Sequence, residues 1–100
     1  MGDSLRIKKE KYILKLFVTG MSVSSVRAIE NIKVICEQYL RGNYSLEIID
    51  VYKHPEIVRE NDIIASPTLL KTAPGSLKRL IGDLSDTDKV LNALGIIVEN

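Results

Sequence analysis

The most constraining feature of the sequence is a change of hydrophobic period across Thr19-Gly20. Residues 11–18, KYILKLFV, are β-rich and apolar on both sides except at Lys15, which is typical of a strand covered on both faces. Residues 25–41 then repeat apolar side chains every three or four positions, which predicts an amphipathic helix. Residues 44–52, YSLEIIDVY, predict a second strand. Two strands joined through a long helix predict a right-handed crossover and therefore a parallel pair.

Both ends of the predicted first helix carry residues that commonly cap helices. Ser22 or Ser24 has a side-chain oxygen that accepts a free N–H group of the first turn. Gly42 follows the last apolar position, where a left-handed backbone often ends a helix. In the strand that follows, Glu47 and Asp50 interrupt the apolar sides, which predicts a strand near the edge of the sheet.

A proline and a turn sequence divide the second half of the chain. Pro55 opens a short predicted helix over residues 55–61, PEIVREN, because its missing amide N–H costs nothing in a first helical turn. Two stretches, residues 68–72 and 77–81, flank the turn sequence APGS at 73–76. They predict a β-hairpin, which adds antiparallel strands to the sheet.

The last predicted helix has its own boundary residues. Ser85 is the predicted N-terminal cap, and Asp88, three residues later, completes a pair like a capping box. Gly95 follows the apolar positions of this segment and predicts its end. The residues after it, 96–98, are β-branched and strand-like, while residues 63–70 read either as a strand or as a helical segment interrupted by proline. Local preferences that disagree in this way predict competing packings of the chain.

The order strand, helix, strand, short helix, hairpin, helix predicts an α/β domain of thioredoxin-like order, βαβαββα. Its sheet is expected to be mixed, with helices on both faces. Pro67 lies just before the third strand, where that fold places a cis proline. We expect one domain over residues 11–100, preceded by a polar and flexible N-terminal segment, residues 1–10.

Composition excludes several classes of function. The chain has 14 Lys and Arg residues and 13 Asp and Glu residues, so a formal charge of +1 gives no overall field that attracts nucleic acid or anionic lipid. No uninterrupted apolar run is long enough to span a membrane, and the first ten residues lack the apolar core of a signal peptide. We therefore expect a cytoplasmic protein without nucleic-acid or membrane partners.

A thioredoxin-like order raises the question of a redox site, and the residues exclude one. Cys36 is the single cysteine, so the chain has no CxxC pair, and its apolar neighbours predict a buried thiol. The loop before the first helix carries serines, whose hydroxyls are poor nucleophiles without a base. The one histidine, His54, lies in a different loop. We expect no catalytic residue, no metal site and no cofactor.

Two clusters of charged residues are better interpreted as structural or surface features than as ligand sites. Three aspartates surround the start of the last helix: Asp83, Asp86 and Asp88. A helix N-terminus favours negative charge, so capping is the expected role of these side chains. Lys78 and Arg79, with Lys71 on the neighbouring strand, form a candidate basic strip. Three charges without stacking aromatics are too few for nucleic acid, which leaves a solvated hairpin edge or a protein-contact patch.

Three blocks of the sequence, in order, resemble the KaiB family. They are KYILKLFVTG with SVRA at 25–28, then LEIIDVYKHP and IIASPTLLK, and finally RLIGDLSDTDKVL. The resemblance spans residues 12 to about 94. It implies a non-enzymatic regulator that uses a thioredoxin-like form to bind the N-terminal ATPase ring of a KaiC-type ATPase, competes with a related sensor-kinase domain, and recruits other clock components. It also implies a metamorphic chain whose resting form packs as βαββααβ and assembles into homo-oligomers, either dimers or tetramers.

The resemblance further implies two sets of functional residues. Those expected to bind the partner are Glu47, Glu56, Ile57, Asn61, Asp62, Lys71 and Arg79. Those expected to govern the fold switch are Tyr12, Pro67, Ala93 and Gly95.

The sequence departs from familiar family members at two places. Those members have Gly-Leu-Asp where this chain has Ala93-Leu94-Gly95, and alanine is better than glycine in a helix by about 1 kcal/mol. We therefore expect the thioredoxin-like form to be more populated here. Those members also carry lysine at the positions of Glu47 and Asp62. These charge reversals keep a second hypothesis open, a KaiB-like adaptor in stress or two-component signalling that does not bind KaiC. A thioredoxin-type oxidoreductase ranks third because the dithiol is missing.

Overall fold

The computed structural model describes residues 10–56, 59 and 67–97. Its elements follow the predicted order: β1 (Tyr12–Val18), α1 (Val23–Tyr39), β2 (Tyr44–Asp50), β3 (Thr68–Ala73), β4 (Lys78–Ile81) and α2 (Thr87–Leu94). Pro55, Glu56 and Arg59 have helical backbone within the predicted short helix, whose other residues lie outside the described part. The predicted N-terminal segment falls outside it as well, except for its last residue, Glu10.

The strands form a mixed sheet in the order β2-β1-β3-β4. β1 and β2 are parallel, as the crossover through α1 predicts, whereas β1 with β3 and β3 with β4 are antiparallel. In this four-stranded sheet β2 and β4 are the edge strands, which confirms the position predicted for β2 from its polar interruptions. The mixed sheet and the thioredoxin-like order of the described elements are confirmed.

One face of the sheet carries both described helices, and we call it the helix face. The side chains of Leu14, Leu16 and Val18 alternate along β1 onto this face, where they pack against α1 and α2. The centre of the core is fully enclosed, since Leu16, Ala28 and Ile32 are each 0% exposed. Burial of this many apolar side chains is the main favourable term in folding, so the helix face holds most of the stability of the domain.

The opposite side is here called the Phe17 face, after the largest side chain on it. Ile13, Lys15 and Phe17 alternate onto it from β1, and Phe17 forms a small buried cluster with Ile49 and Leu70. No residue of α1 or α2 belongs to this cluster. The expectation of a helix on each face therefore has no support from the two helices that the structure describes, which share the helix face.

The caps of the helices agree with the sequence at two places and correct it at two. Ser22 is the N-cap of α1. The C-cap of α1 is Leu40 rather than Gly42, which has the left-handed φ of 75° two residues beyond the cap. Gly95 ends α2 in the left-handed conformation. The N-cap of α2, however, is Asp86, whose side chain accepts the Lys89 N–H at 3.2 Å. The predicted cap at Ser85 is wrong because α2 begins at Thr87, directly after Asp86, while Ser85 lies one residue before the cap with its N–H held by the carboxylate of Asp83.

Candidate functional site

The loop between β1 and α1 is closed by hydroxyl groups where a thioredoxin-like dithiol would lie. Ser25 is 0% exposed, and its Oγ accepts the Thr19 N–H at 3.0 Å and the Ser22 hydroxyl at 2.8 Å. Ser22 in turn accepts the Ser25 N–H at 3.2 Å, which is the capping bond of α1. These hydroxyls are bonded to one another and to the backbone, so capping accounts for them and nothing in the network activates a nucleophile.

The thiol of Cys36 lies in the core of the helix face. Burial, and then the charge of Glu37, raise the pKa of this thiol to about 12. Because the thiolate is the reactive form, Cys36 is an inert structural side chain at neutral pH. Its predicted burial is confirmed, since the side chain is 0% exposed.

The described residues contain neither a metal-binding cluster nor a membrane-spanning helix. Across residues 10–56, 59 and 67–97 no group of three or more His, Cys, Asp and Glu side chains is arranged to hold a metal ion. In the same part of the chain, none of the helices has the length and hydropathy needed to cross a membrane.

The register of the sheet brings one residue of each strand into a line across the Phe17 face. Lys15 on β1 pairs with Glu47 on β2 and with Leu70 on β3, and Leu70 pairs with Arg79 on β4. We call these four residues the cross-strand row. Glu47 and Arg79 are exposed at its two ends, whereas Leu70 is buried at its centre. Three strand spacings separate the ends, so the two opposite charges lie roughly 14 Å apart.

A second line of residues lies beside the cross-strand row. Phe17 pairs with Ile49 and with Thr68, and Thr68 pairs with Ile81 at the β4 edge. Phe17 and Thr68 are buried, but Ile81 is 62% exposed. The β4 edge of the Phe17 face therefore presents an exposed apolar side chain next to the exposed residue Arg79.

Four other residues of the predicted partner-binding set have different positions. Glu56 is exposed at the start of the helical backbone after Pro55, with its carboxylate 3.8 Å from the ring of His54. Ile57, Asn61 and Asp62 lie outside the described residues.

Lys71 does not belong to an exposed basic strip, and that interpretation is wrong. The side chain is only 4% exposed, because the period of two along β3 turns it onto the helix face, beside Leu14. Arg79 lies on the Phe17 face instead. The Lys71 ammonium donates hydrogen bonds to the carbonyls of Pro74 and Ser76, the latter at 2.7 Å. Lys71 is therefore bound by the β3–β4 turn, and whether it contributes to partner binding stays a prediction.

Three of the four predicted fold-switch residues meet at the end of α2. The Tyr12 hydroxyl donates to the Leu94 carbonyl at 3.1 Å, and burial raises the pKa of Tyr12. Ala93 packs partly buried against the core, and Gly95 has the left-handed φ of 75° that ends the helix. A cavity of about 410 Å³ opens beside Tyr12 and Gly95. One hydroxyl of β1 thus ties the last turn of α2 to the sheet.

Pro67, the fourth of these residues, lies at the start of β3. It is buried, and its carbonyl accepts the Gly82 N–H at 2.9 Å, which joins the start of β3 to the residue after β4. The Ser66–Pro67 peptide bond includes a residue outside the described part, so the cis bond expected there stays a prediction. Within that part, the bond before Pro74 is cis.

Sequence reasoning missed two structural contacts near these sites. Asn31 on α1 donates its side-chain N–H to the Asp83 carbonyl at 2.8 Å, beside Leu84, which is buried with a φ of 64°. No periodic signal marks Asn31 for this bond. The contact of Lys71 with the turn carbonyls did leave a signal, because Lys71 stands two residues after the buried Leu69 and therefore on the same face.

Comparison with known proteins gives the family. The KaiB domain model matches residues 15–96. The circadian clock oscillator protein KaiB of Trichodesmium erythraeum is 46% identical over 91 residues, which cover 91% of this chain and 88% of that protein. The N-terminal domain of Synechococcus elongatus SasA is 26% identical with a TM-score of 0.71, covering 90% of this chain and 89% of that structure. Mitochondrial thioredoxin 3 of Saccharomyces cerevisiae is 18% identical with a TM-score of 0.70 and covers 89% and 82%, a likeness of fold alone. The chain therefore belongs to the KaiB family.

Proposed function

We propose that this chain is a non-enzymatic regulatory protein that binds the N-terminal ATPase ring of a KaiC-type ATPase through its Phe17 face. The observation that carries the proposal is the cross-strand row, which has Glu47 and Arg79 exposed at opposite edges of one face. Family membership supplies the kind of partner. A binding role rather than a redox role is supported by the hydroxyl network in the β1–α1 loop and by the raised pKa of Cys36.

The geometry of the Phe17 face suits recognition by protein contacts. Charges of opposite sign at the two edges make the face electrically asymmetric, so a partner with the complementary pattern docks in one orientation. Ile81 adds exposed apolar area next to Arg79, and an arginine beside an apolar side chain is a common composition of binding hot spots. The opposite charges of Glu47 and Arg79 then give specificity, and the exposed apolar area of Ile81 gives affinity.

We also propose that the bound form is the thioredoxin-like one and that a resting form packs as βαββααβ. The support is local. Ile96 and Ile97 follow α2 directly and have strand-like side chains, and the last turn of α2 is tied to the sheet through Tyr12. A switch of this kind would release that hydroxyl and extend the chain beyond Gly95. The oligomeric state of the resting form, dimer or tetramer, is part of the same proposal.

Size-exclusion chromatography with light scattering tests the proposal. The chain is mixed with the KaiC-type ATPase of the same organism and ATP, and co-elution in one peak is expected. Arg79→Ala should reduce co-elution, because it removes the charge at the β4 end of the row. Arg41→Ala is the matched control, since Arg41 is exposed at the end of α1 and away from the Phe17 face. No shared peak with the wild-type chain would contradict the docking proposal.

The alternative function is a KaiB-like adaptor in stress or two-component signalling that acts without KaiC. The observation that favours it is the exposed carboxylate of Glu47, where familiar family members carry lysine. A pull-down that recovers a sensor kinase and no ATPase would support the adaptor. Glu47→Lys restores the charge found in familiar family members. A gain of ATPase binding in that variant would therefore favour a KaiB-like chain that has lost its affinity for KaiC.

A further inference from the structure

The turn between β3 and β4 is held by a buried cation. Lys71 reaches along the hairpin from β3, and its ammonium donates to the carbonyls of Pro74 and Ser76 on the two sides of Gly75. The side chain is 4% exposed, whereas Lys78, its direct cross-strand partner on β4, is exposed. Two lysines on neighbouring strands thus have different roles, and we call the Lys71 contact with the turn the lysine clamp.

We propose that Lys71 is a positioning residue for partner binding: by fixing the turn it sets the place of Arg79, and it does not touch the partner itself. This inference rests on the proposed function, because it concerns how the binding face is held in shape. It also changes the role that the family resemblance implies for Lys71, from a contact residue to a residue that acts through the hairpin.

The construction of β4 makes such a role necessary. β4 has four residues and pairs with β3 alone among the described strands, so it has few hydrogen bonds of its own. The lysine clamp lies at its beginning, and the bond from the Gly82 N–H to the Pro67 carbonyl lies just past its end. Arg79 is the second residue of β4, closer to the clamped end. Loss of the clamp therefore loosens β4 at Lys78 and Arg79 before it affects Ile81.

The hydrogen bonds of the lysine clamp are stronger than those of an ordinary turn, because their donor is charged. Hydrogen bonds from a charged donor are roughly twice as strong as neutral ones. Removing the ammonium leaves both carbonyls without that donor, so a turn whose Gly75 and Ser76 are already exposed is then held only through water. A turn held only through water lets β4 move relative to β3. The β4 side chains on the Phe17 face, Arg79 among them, then lose their fixed position.

The first test uses the free chain and needs no partner. Native protein is treated briefly with an amine-acetylating reagent, and the modified lysines are quantified by mass spectrometry. Lys71 should react at least about tenfold more slowly than Lys78, because its amine is exposed only when the turn opens. Equal rates at the two lysines would overturn the clamp.

The second test is a pair of double-mutant cycles on the affinity for the ATPase. Lys71→Met keeps the aliphatic stem and is expected to weaken binding about tenfold, while the matched control Lys78→Met changes it less than about twofold. If Lys71 acts through Arg79, then Lys71→Met and Arg79→Ala together should cost less than the sum of the two. The cycle with Glu47→Ala, at the other edge of the sheet, should be additive.

The outcomes separate the inference from the function it rests on. Additive effects of Lys71→Met and Arg79→Ala would make Lys71 an independent contact and overturn the positioning role. Coupling of Lys71→Met to Glu47→Ala as strong as that to Arg79→Ala would indicate a general loss of structure, and it overturns the role too. If the wild-type chain does not bind the ATPase, the proposed function and the positioning role fall together, while slow acetylation of Lys71 still supports the clamp.

Discussion

The two faces of the sheet are built from alternate residues of the same strands, yet they differ in what lies on them. The helix face buries Leu14, Leu16 and Val18 under both described helices. The Phe17 face has a small cluster around Phe17 and a row with exposed charges at both edges. One face thus provides most of the folding free energy, and the other is free to vary its edge residues for recognition. This division predicts that stability and binding respond to different substitutions.

The largest expected effect comes from the same substitution made on each face. Ile32→Ala removes a side chain that is 0% exposed on α1 and should lower the free energy of unfolding by about 3 kcal/mol. Ile81→Ala removes one that is 62% exposed on the Phe17 face and should change it by less than about 0.5 kcal/mol. Urea unfolding measures both. Similar losses in the two variants would contradict the division between the faces.

The next effect tests whether water is excluded from the core of the helix face, and it uses the pKa of the Cys36 thiol. The pKa of this thiol is raised from 9.0 to about 12, so the folded state keeps its proton where the unfolded state has lost it. The resulting stability is fully present below pH 9 and is lost as pH rises from there towards 12. At pH 10 the loss should be about 1.4 kcal/mol.

The matched variant for this titration is Cys36→Ala, which has no thiol. It should be less stable at neutral pH, because it leaves a small cavity, but its stability should fall less steeply above pH 9. Urea unfolding at a series of pH values gives both curves, and the two proteins differ only at residue 36. Parallel curves would mean that water reaches the thiol and that the core is looser than its burial indicates.

A smaller effect is expected at the end of α2, where the helix face meets the proposed switch. Ala93→Gly lowers the helix propensity of α2 by about 1 kcal/mol and should shift the population toward the other packing. Two-dimensional NMR of the amide signals reports the two populations. An unchanged population in Ala93→Gly would remove the helix propensity of this residue as a reason for the preferred form.

Much of this fold follows from the hydrophobic pattern alone. The apolar run of β1, which is apolar on both sides, and the three-to-four spacing in α1 predict the crossover and the parallel pair, because these patterns depend on nearby residues. The cap of α2 is harder, since Ser85 and Asp86 are both good caps, and Asp86 is identified only by the bond that its side chain accepts from the Lys89 N–H. Sequence spacing does not report that contact.

The candidate site was predictable in part. The cross-strand row depends on the pairing register of three strand pairs, including a shift between Ile13 and Leu14, so Glu47 and Arg79 cannot be placed on one face from the sequence. The burial of Lys71 could have been predicted, because the strand period alone places it with Leu69 on the buried side. Its charge suggested exposure, and the nearby turn carbonyls, which accept that charge, appear only in the folded hairpin.

The smallest effect on stability should accompany an effect on binding, at Glu47. Glu47→Lys places a second cation next to Lys15, its partner in the register, and like charges on neighbouring strands should cost only a few tenths of a kcal/mol at this exposed edge. Glu47→Gln, which removes the charge without reversing it, is the control and should have nearly the stability of the wild type.

Against a KaiC whose own KaiB carries lysine at this position, Glu47→Lys should bind more tightly than the wild type, and the affinity of Glu47→Gln should lie between them. Because electrostatic complementarity at the rim acts mainly on the association rate, the gain should appear in that rate and shrink as salt is added. An affinity that is the same for all three chains would show that the β2 edge lies outside the interface. The binding surface would then be limited to the β4 side, with Arg79 and Ile81.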